Sequence, residues 1–266
     1  MNLSRSPAVA GQFYPSSPKQ LSRSLDECFN RASTILPESP RVQPKALIVP
    51  HAGYIYSGVV AAKAYATLLP FKDNIKRVIV LGPSHHYGFK GLASSHFTSY
   101  ETSLGMIELN CLSTQKLEHQ SLVQTLDQAH LHEHSLEVQL PFLQHILEDF
   151  SLIPLVVGDA DQYQVAKVIN ALWGGKDTLF VISSDLSHFL SYEVANDKDE
   201  HTAQAIDTLQ PDLIEYEDAC GRNPVKGNLY STLKHDLTPY RLALCHSGDT
   251  VGDKDRVVGY GAWSTS

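Results

Sequence analysis

The sequence predicts an α/β protein, a single domain over residues 1–266 whose mostly parallel or mixed central sheet is flanked by helices. Short, wholly apolar runs alternate with amphipathic segments, which is the order expected of strands covered by helices on both faces. No linker, repeat or low-complexity tract divides the chain, and 42% hydrophobic residues suffice for a large core.

The individual elements follow from periodicity. Continuous apolar runs predict buried strands at 46–49, 77–81, 152–157 and 178–182, and two late strands at 240–245 and 257–263. Apolar residues at helical spacing predict helices at 19–32, 160–173 and 225–233, and one capped by Ser57 that runs to 69. A further helix at 134–147 contains Pro141, which predicts a kink or break there.

The charge balance limits the classes of partner. A net charge of −8 disfavours nucleic acid and anionic membranes, because both need a basic surface. We see neither an apolar stretch of membrane-helix length nor the pattern of a signal peptide. We therefore expect a cytoplasmic protein whose four cysteines are free thiols.

Histidines follow three of the predicted strands directly. His51 comes after the first strand, His85 and His86 after the second, and Asp185 with His188 after the strand at 178–182. Because the carboxyl ends of strands form the ligand crevice of an open α/β sheet, we expect these side chains to converge. Imidazole is the commonest metal ligand and a proton carrier near neutral pH, so the pattern predicts a metal or acid–base site.

Two further clusters are candidates. Cys220 precedes a predicted helix with Pro224 in its first turn, and both the helix dipole and Arg222 would favour its thiolate. His134 lies in Glu-His-Ser-Leu-Glu, which lacks the second histidine of a zinc-protease motif. That segment fits either a solvated helix start or an auxiliary contribution of His134 to the pocket.

Together these segments resemble the Memo family, which in prokaryotes is also called AmmeMemoRadiSam system protein B. The resemblance covers nearly the whole chain in order. The matching motifs are Ala10-Gly11-Gln12-Phe13-Tyr14-Pro15, Pro50-His51-Ala52-Gly53-Tyr54, Leu81-Gly82-Pro83-Ser84-His85-His86, Glu133-His134-Ser135-Leu136-Glu137, Ser183-Ser184-Asp185 with His188, Cys220-Gly221-Arg222-Asn223-Pro224 and Gly259-Tyr260-Gly261-Ala262.

The family is similar in fold to class III (LigB-type) extradiol dioxygenase subunits, and this likeness implies roles for the matching residues. His51 and His85 would be metal ligands, and Cys220 would stand where the dioxygenases place a glutamate. His188 would be the acid–base residue with Asp185 beside it. The predicted substrate contacts are Phe13 and Tyr14 at the mouth, and Tyr54, His86, His134 and Arg222.

The resemblance implies a metal-dependent redox enzyme of unknown substrate, a small molecule or a peptide. Fe(II) is the favoured ion, with Cu or Zn also compatible because a thiolate is softer than a carboxylate. The alternatives are a zinc-dependent hydrolase and a non-enzymatic module that binds an anionic or aromatic peptide. Radical-SAM and AMMECR-type proteins are the partners that the family implies.

Overall fold

A computed structural model describes residues 3–33 and 42–266. Its strands are β1 Ser4–Arg5, β2 Ala46–Val49, β3 Arg77–Pro83, β4 Leu92–Ser94, β5 Ser99–Thr102, β6 Gly105–Glu108, β7 Gln124–Thr125, β8 Ser151–Val157, β9 Thr178–Ser183, β10 His188–Leu190, β11 Pro239–His246 and β12 Val257–Thr265. Its α-helices are α1 Pro18–Ser33, α2 Tyr54–Ala66, α3 Cys111–His119, α4 Asp127–Leu131, α5 His134–Glu137, α6 Leu140–Ile146, α7 Gln162–Ala171, α8 Tyr192–Asp207 and α9 Arg222–Lys234.

The larger sheet is mixed, as the sequence predicts. Its strand order is β10-β12-β2-β9-β3-β8-β4-β7, and β11 also pairs with β12. The neighbours β2, β9, β3 and β8 run parallel, whereas β12 is antiparallel to β2. The carboxyl ends of β2, β3 and β9 therefore lie at one edge, and the three histidine-bearing loops leave the sheet there.

Apolar side chains cover both faces of this sheet. On one face, α1, α2 and α6 contribute buried residues that include Leu21, Tyr65 and Phe142. On the other face, α7, α8 and α9 contribute residues such as Val168, Ile206 and Leu229. The four parallel strands are buried on both sides, which explains why they appear in the sequence as continuous apolar runs.

A small second sheet, β1-β5-β6, was not predicted. Its strands are two to four residues long and contain Ser, Thr and Glu, so they lack the apolar runs of the central strands. β1 pairs in parallel with β5, which brings Arg5 beside the segment that leads to α5. This sheet therefore places Arg5 next to Glu133, the residue that precedes α5.

Two helix predictions need comment. Ser57 is not the N-cap of α2: the helix begins at Tyr54 after Gly53, and the Ser57 hydroxyl bonds the Ala52 carbonyl from inside the first turn. The predicted break near Pro141 is confirmed, because α5 ends at Glu137 and Pro141 lies in the first turn of α6. Among the described helices, none combines the length and apolar character needed to cross a bilayer.

Candidate metal centre

His51 is fixed on all sides where β2 ends. It is 2% exposed, and its backbone amide donates to Asp185 Oδ1 at 2.8 Å. Its Nδ1 lies 2.8 Å from Ser183 Oγ, whose own proton is donated to the Ser135 carbonyl. Nδ1 must therefore be the donor, which leaves the Nε2 lone pair of His51 free for a metal ion.

His85 is held by one carboxylate. Its backbone amide donates to Glu133 Oε2 at 2.6 Å, and its Nδ1 lies 2.8 Å from Glu133 Oε1. Since a carboxylate accepts, Nδ1 again carries the proton and Nε2 is available as a ligand. Burial would raise the pKa of Glu133, but its hydrogen bonds with His85 and Ser135 and the charge of His85 lower it to about 2.

His134 completes a cluster with these two residues. One ring nitrogen from each of His51, His85 and His134 can be chosen so that all three lie within 4.8 Å of one another. The rings of His85 and His134 stack with centroids 4.5 Å apart. Burial lowers the pKa of His51 well below its ordinary value, and burial together with the neighbouring His51 and His85 lowers the pKa of His134 to about 4. The rings of His51 and His134 are thus neutral at physiological pH, and each has a nitrogen lone pair that a metal ion can accept. Three histidines of this kind could bind a metal ion.

Cys220 lies against the same site from the start of α9. Its Sγ is 3.3 Å from His51 Nε2 and accepts the Asp185 amide at 3.3 Å. Burial raises the pKa of the thiol, and the Asp185 carboxylate adds to the rise. This direction is opposite to the one expected from the helix dipole and Arg222, and its main cause is burial of the thiol. The guanidinium of Arg222 instead lies over the Tyr216 ring, 4.0 Å from its centroid.

Asp185 and His188 occupy the loop after β9 but have separate contacts. The Asp185 carboxylate bonds the His51 amide and lies 4.0 Å from His51 Nε2. The Nδ1 of His188 lies 2.8 Å from the Leu186 carbonyl and must donate to it. His188 thus presents Nε2 as a proton acceptor, and a backbone carbonyl sets its ring orientation.

A cavity of about 380 Å³ opens onto these groups. Both His188 and Asp185 line it, together with His51, His85 and His134. Mostly apolar and aromatic side chains supply the rest of its surface, together with Gln12; they include Phe13, Ile55, Tyr56, Val258 and Tyr260. The predicted position of Phe13 at this mouth fits its edge contact with the His134 ring, 4.9 Å between centroids.

The predicted substrate contact His134 lines the cavity as well, whereas Tyr14, Tyr54, His86 and Arg222 do not. Tyr14 and Tyr54 are buried, and their hydroxyls donate to Glu137 and to the Val138 carbonyl, beneath the site. His86 is exposed, with its ring 5.8 Å from that of His134. Arg222 lines a different cavity of about 320 Å³, on whose wall Cys220 also lies.

Sequence reasoning missed the residues that orient the histidines. Glu133 was seen only as a helix-start carboxylate, yet it binds His85 and caps α5 through the Ser135 amide. Ser183 fixes His51, and Gln139 in turn donates to Ser183 Oγ at 2.9 Å. The one signal available was that Glu133 and Ser183 belong to the motifs that carry the family resemblance.

Comparison with known proteins identifies the family of this chain. The sequence model of the Memo-like protein family matches residues 5–264. A MEMO1 family protein of Saccharolobus islandicus is 35% identical, covering 97% of this chain and 98% of the relative. Those of Aquifex aeolicus and Metallosphaera sedula are 34% and 36% identical over similar shares. The chain therefore belongs to the Memo family.

Proposed function

We propose that the histidine cluster binds one transition-metal ion and that the protein uses this ion for redox chemistry on a small molecule or peptide. The observation that carries the proposal is the convergence of ring nitrogens of His51, His85 and His134 within 4.8 Å of one another on the wall of a cavity. Two of the three have Nδ1 bonded to an acceptor, which is how proteins orient metal-binding imidazoles.

Cys220 is the proposed fourth donor. Its sulfur already lies 3.3 Å from His51 Nε2. A cation bound there would stabilise the thiolate against the effects of burial, because coordinated thiols lose their proton. Imidazole and thiolate donors suit Fe(II), Cu and Zn. Fe(II) is favoured by the likeness to extradiol dioxygenases, and the choice of redox chemistry over hydrolysis rests on the same likeness.

The protein's own groups divide the remaining work. A bound ion would supply Lewis-acid and redox chemistry. His188, with Nε2 free at the cavity wall, would take a proton from the substrate. Phe13 and Tyr260 would exclude water from the bound substrate. Association with radical-SAM and AMMECR-type proteins stays a prediction from the family resemblance.

Metal analysis with a matched control tests the centre. Protein stripped by chelation is titrated with Fe(II), Cu and Zn under anaerobic conditions, and we expect one ion per chain. His85→Ala should lose the ion, whereas His96→Ala should keep it. His96 is a suitable control because its amide and Nδ1 also bond one carboxylate, that of Asp127, outside the cavity. Equal loss in both variants would refute the centre.

Oxygen consumption tests the redox assignment separately. The Fe(II)-loaded protein is screened with phenolic, thiol and peptide substrates in an oxygen electrode, and His188→Gln serves as the variant that keeps the ion. Substrate-dependent oxygen uptake that falls in His188→Gln supports the proposal. Tight zinc binding with no oxygen uptake, but with hydrolysis of an ester or phosphate probe, would overturn the redox part and leave the metal centre standing.

A further inference from the structure

We propose that Asp199 and His246 are positioning residues: their buried pair fixes the loop that carries His188 and thereby aims the His188 ring into the cavity. The inference rests on the proposed role of His188. It is tested on the ring orientation itself, so that failure of the metal centre and failure of this inference can be told apart.

The pair joins three elements behind the site. Asp199 of α8 is 0% exposed, and its Oδ1 accepts the backbone amide of Ser187 at 2.9 Å. Its Oδ2 lies 3.0 Å from Nε2 of His246, the last residue of β11. The side chain of Asp199, which belongs to α8, thus accepts a hydrogen bond from the backbone of the loop that carries His188.

That loop in turn sets the orientation of His188. The Leu186 amide donates to the Gly259 carbonyl at 2.8 Å, and the Gly259 amide donates to the Ser187 carbonyl at 2.9 Å. The Leu186 carbonyl then accepts His188 Nδ1. A Cβ on Gly259 would lie 1.7 Å from Asp199 Oδ2, so the carboxylate packs directly against the β12 backbone.

Strain next to His188 indicates that the loop needs such restraint. Phe189 has φ +60°, a left-handed conformation that is costly for a bulky aromatic residue. The β10–β12 register shifts at this position, where His188 pairs with Val258 and Leu190 with Val257. Such a conformation persists only where surrounding contacts over-determine it. Loss of the Ser187 bond would therefore allow the loop to relax and the His188 ring to turn.

His246 makes the buried carboxylate tolerable. Asp199 is buried away from solvent, and a buried carboxylate is stabilised by a nearby cationic group. His246 Nε2 lies 3.0 Å from Oδ2, although the two atoms are not aligned for a hydrogen bond. A second carboxylate, Asp249, lies on the other side of His246, with Oδ2 3.6 Å from Nδ1. Tyr192 and the His246 amide both donate to Asp249. Removal of His246 alone would leave the buried carboxylate of Asp199 without this partner.

The chain offers a matched control on the same helix. Asp207 of α8 bonds Arg241 of β11 and Nε1 of Trp263 in β12. Like Asp199, it links α8 to β11 and lies against β12, but within the described part of the chain its hydrogen bonds go to Arg241 and Trp263 and not to the loop at 185–190. Replacement of Asp207 by alanine should therefore lower the stability of the fold without removing a contact to the loop.

The test is the tautomer of His188, read by long-range ¹H–¹⁵N NMR of the apoprotein in alkaline buffer. The wild-type ring should show one tautomer, protonated at Nδ1. Asp199→Asn should keep it because the amide oxygen still accepts the Ser187 amide. Asp199→Ala should give mixed tautomers. The double variant Asp199→Leu/His246→Leu should do the same without burying a lone charge, which covers the case in which Asp199→Ala does not fold.

Asp207→Ala should leave the His188 tautomer as in the wild type while lowering the unfolding midpoint. Two results would overturn the inference. One is an unchanged His188 tautomer in folded Asp199→Ala or in the folded double variant Asp199→Leu/His246→Leu. The other is an equal change in Asp207→Ala, which would show that the signal reports only general loosening of α8.

Discussion

The two sides of the candidate metal centre are built differently. The inner side is formed by His51, which is buried, and by Cys220, which is half-buried, and these two residues are bonded to Ser183 and Asp185. The outer side, formed by His85 and His134, faces the cavity mouth, and 28% of the His85 side chain is accessible. One carboxylate, Glu133, bonds His85 and lies 3.6 Å from His134 Nδ1.

This difference separates a fixed half of the site from an adjustable half. On the inner side, His51 is held by two hydrogen bonds to different residues, from its amide to Asp185 and from Nδ1 to Ser183, and Cys220 Sγ packs against its ring. On the outer side, rotation of the single Glu133 carboxylate releases the orientation of His85. We infer that the inner side is pre-organised for a metal ion and that the outer side adjusts when the ion or substrate binds.

The largest expected effect is that of His51→Ala. This change removes a proposed ligand from the fixed half and also removes the imidazole against which Cys220 packs, 3.3 Å away. We expect metal affinity to fall by more than about 100-fold, beyond the range seen when only a supporting residue is lost. Calorimetric titration with Zn or anaerobic Fe(II) measures it. If His51→Ala lowers metal affinity less than His85→Ala does, the inner side is not the more important half for metal binding.

Cys220→Ala should have the next largest effect, about 100-fold in affinity, because it removes the proposed thiolate donor. Cobalt-loaded wild-type protein should show a sulfur-to-metal charge-transfer band that Cys220→Ala lacks. Cys28, which is buried in the apolar core, provides the control variant Cys28→Ala. Equal metal content in the wild type and in Cys220→Ala would eliminate the thiolate from the site and leave three histidines.

Glu133→Gln tests the outer side with a smaller expected loss, about 10-fold. The amide oxygen can still accept from the Ser135 amide, so α5 should keep its cap. The orientation of His85 Nδ1 would depend on a neutral acceptor instead of a carboxylate whose pKa is about 2. Metal affinity and thermal midpoint are measured together. A large fall in the midpoint with unchanged affinity would assign Glu133 to folding alone.

The sequence was sufficient for the central strands and for part of the site. Runs such as 77–81 are apolar because both faces of β3 are buried, and this makes them visible without a structure. The approach of His51 to His85 followed from strand ends meeting at one edge. The short strands β4 to β7 and the helix α8 have no comparable pattern, and the sequence analysis missed them.

The rest of the site depends on contacts between segments far apart in sequence. His134 comes from the start of a helix and not from a strand end, so no rule of sheet edges placed it beside His85, 4.5 Å away ring to ring. The direction of the Cys220 pKa was also inaccessible, because it is decided by burial and by Asp185, 35 residues earlier. Helix position alone gave the opposite sign.

The remaining expected effect concerns stability and not metal affinity: it is an acid sensitivity that originates in the outer side. Burial, with the charges of His51 and His85, lowers the pKa of His134 to about 4, whereas an unfolded chain protonates this ring near ~6.5. Between these values the unfolded state binds a proton that the folded state refuses, so stability must fall as the pH drops from about 6.5 to about 4. The slope contributed by one such histidine is at most about 1.4 kcal/mol per pH unit.

Urea unfolding of the apoprotein at a series of pH values measures this slope. His134→Asn should flatten the curve of stability against pH only in part, because burial also lowers the pKa of His51 and of His130. His96→Asn, which removes a largely exposed ring, should leave the slope unchanged. An unaltered slope in His134→Asn would mean that the acid sensitivity belongs to the inner side, and that His134 is solvated well enough to titrate as a surface residue.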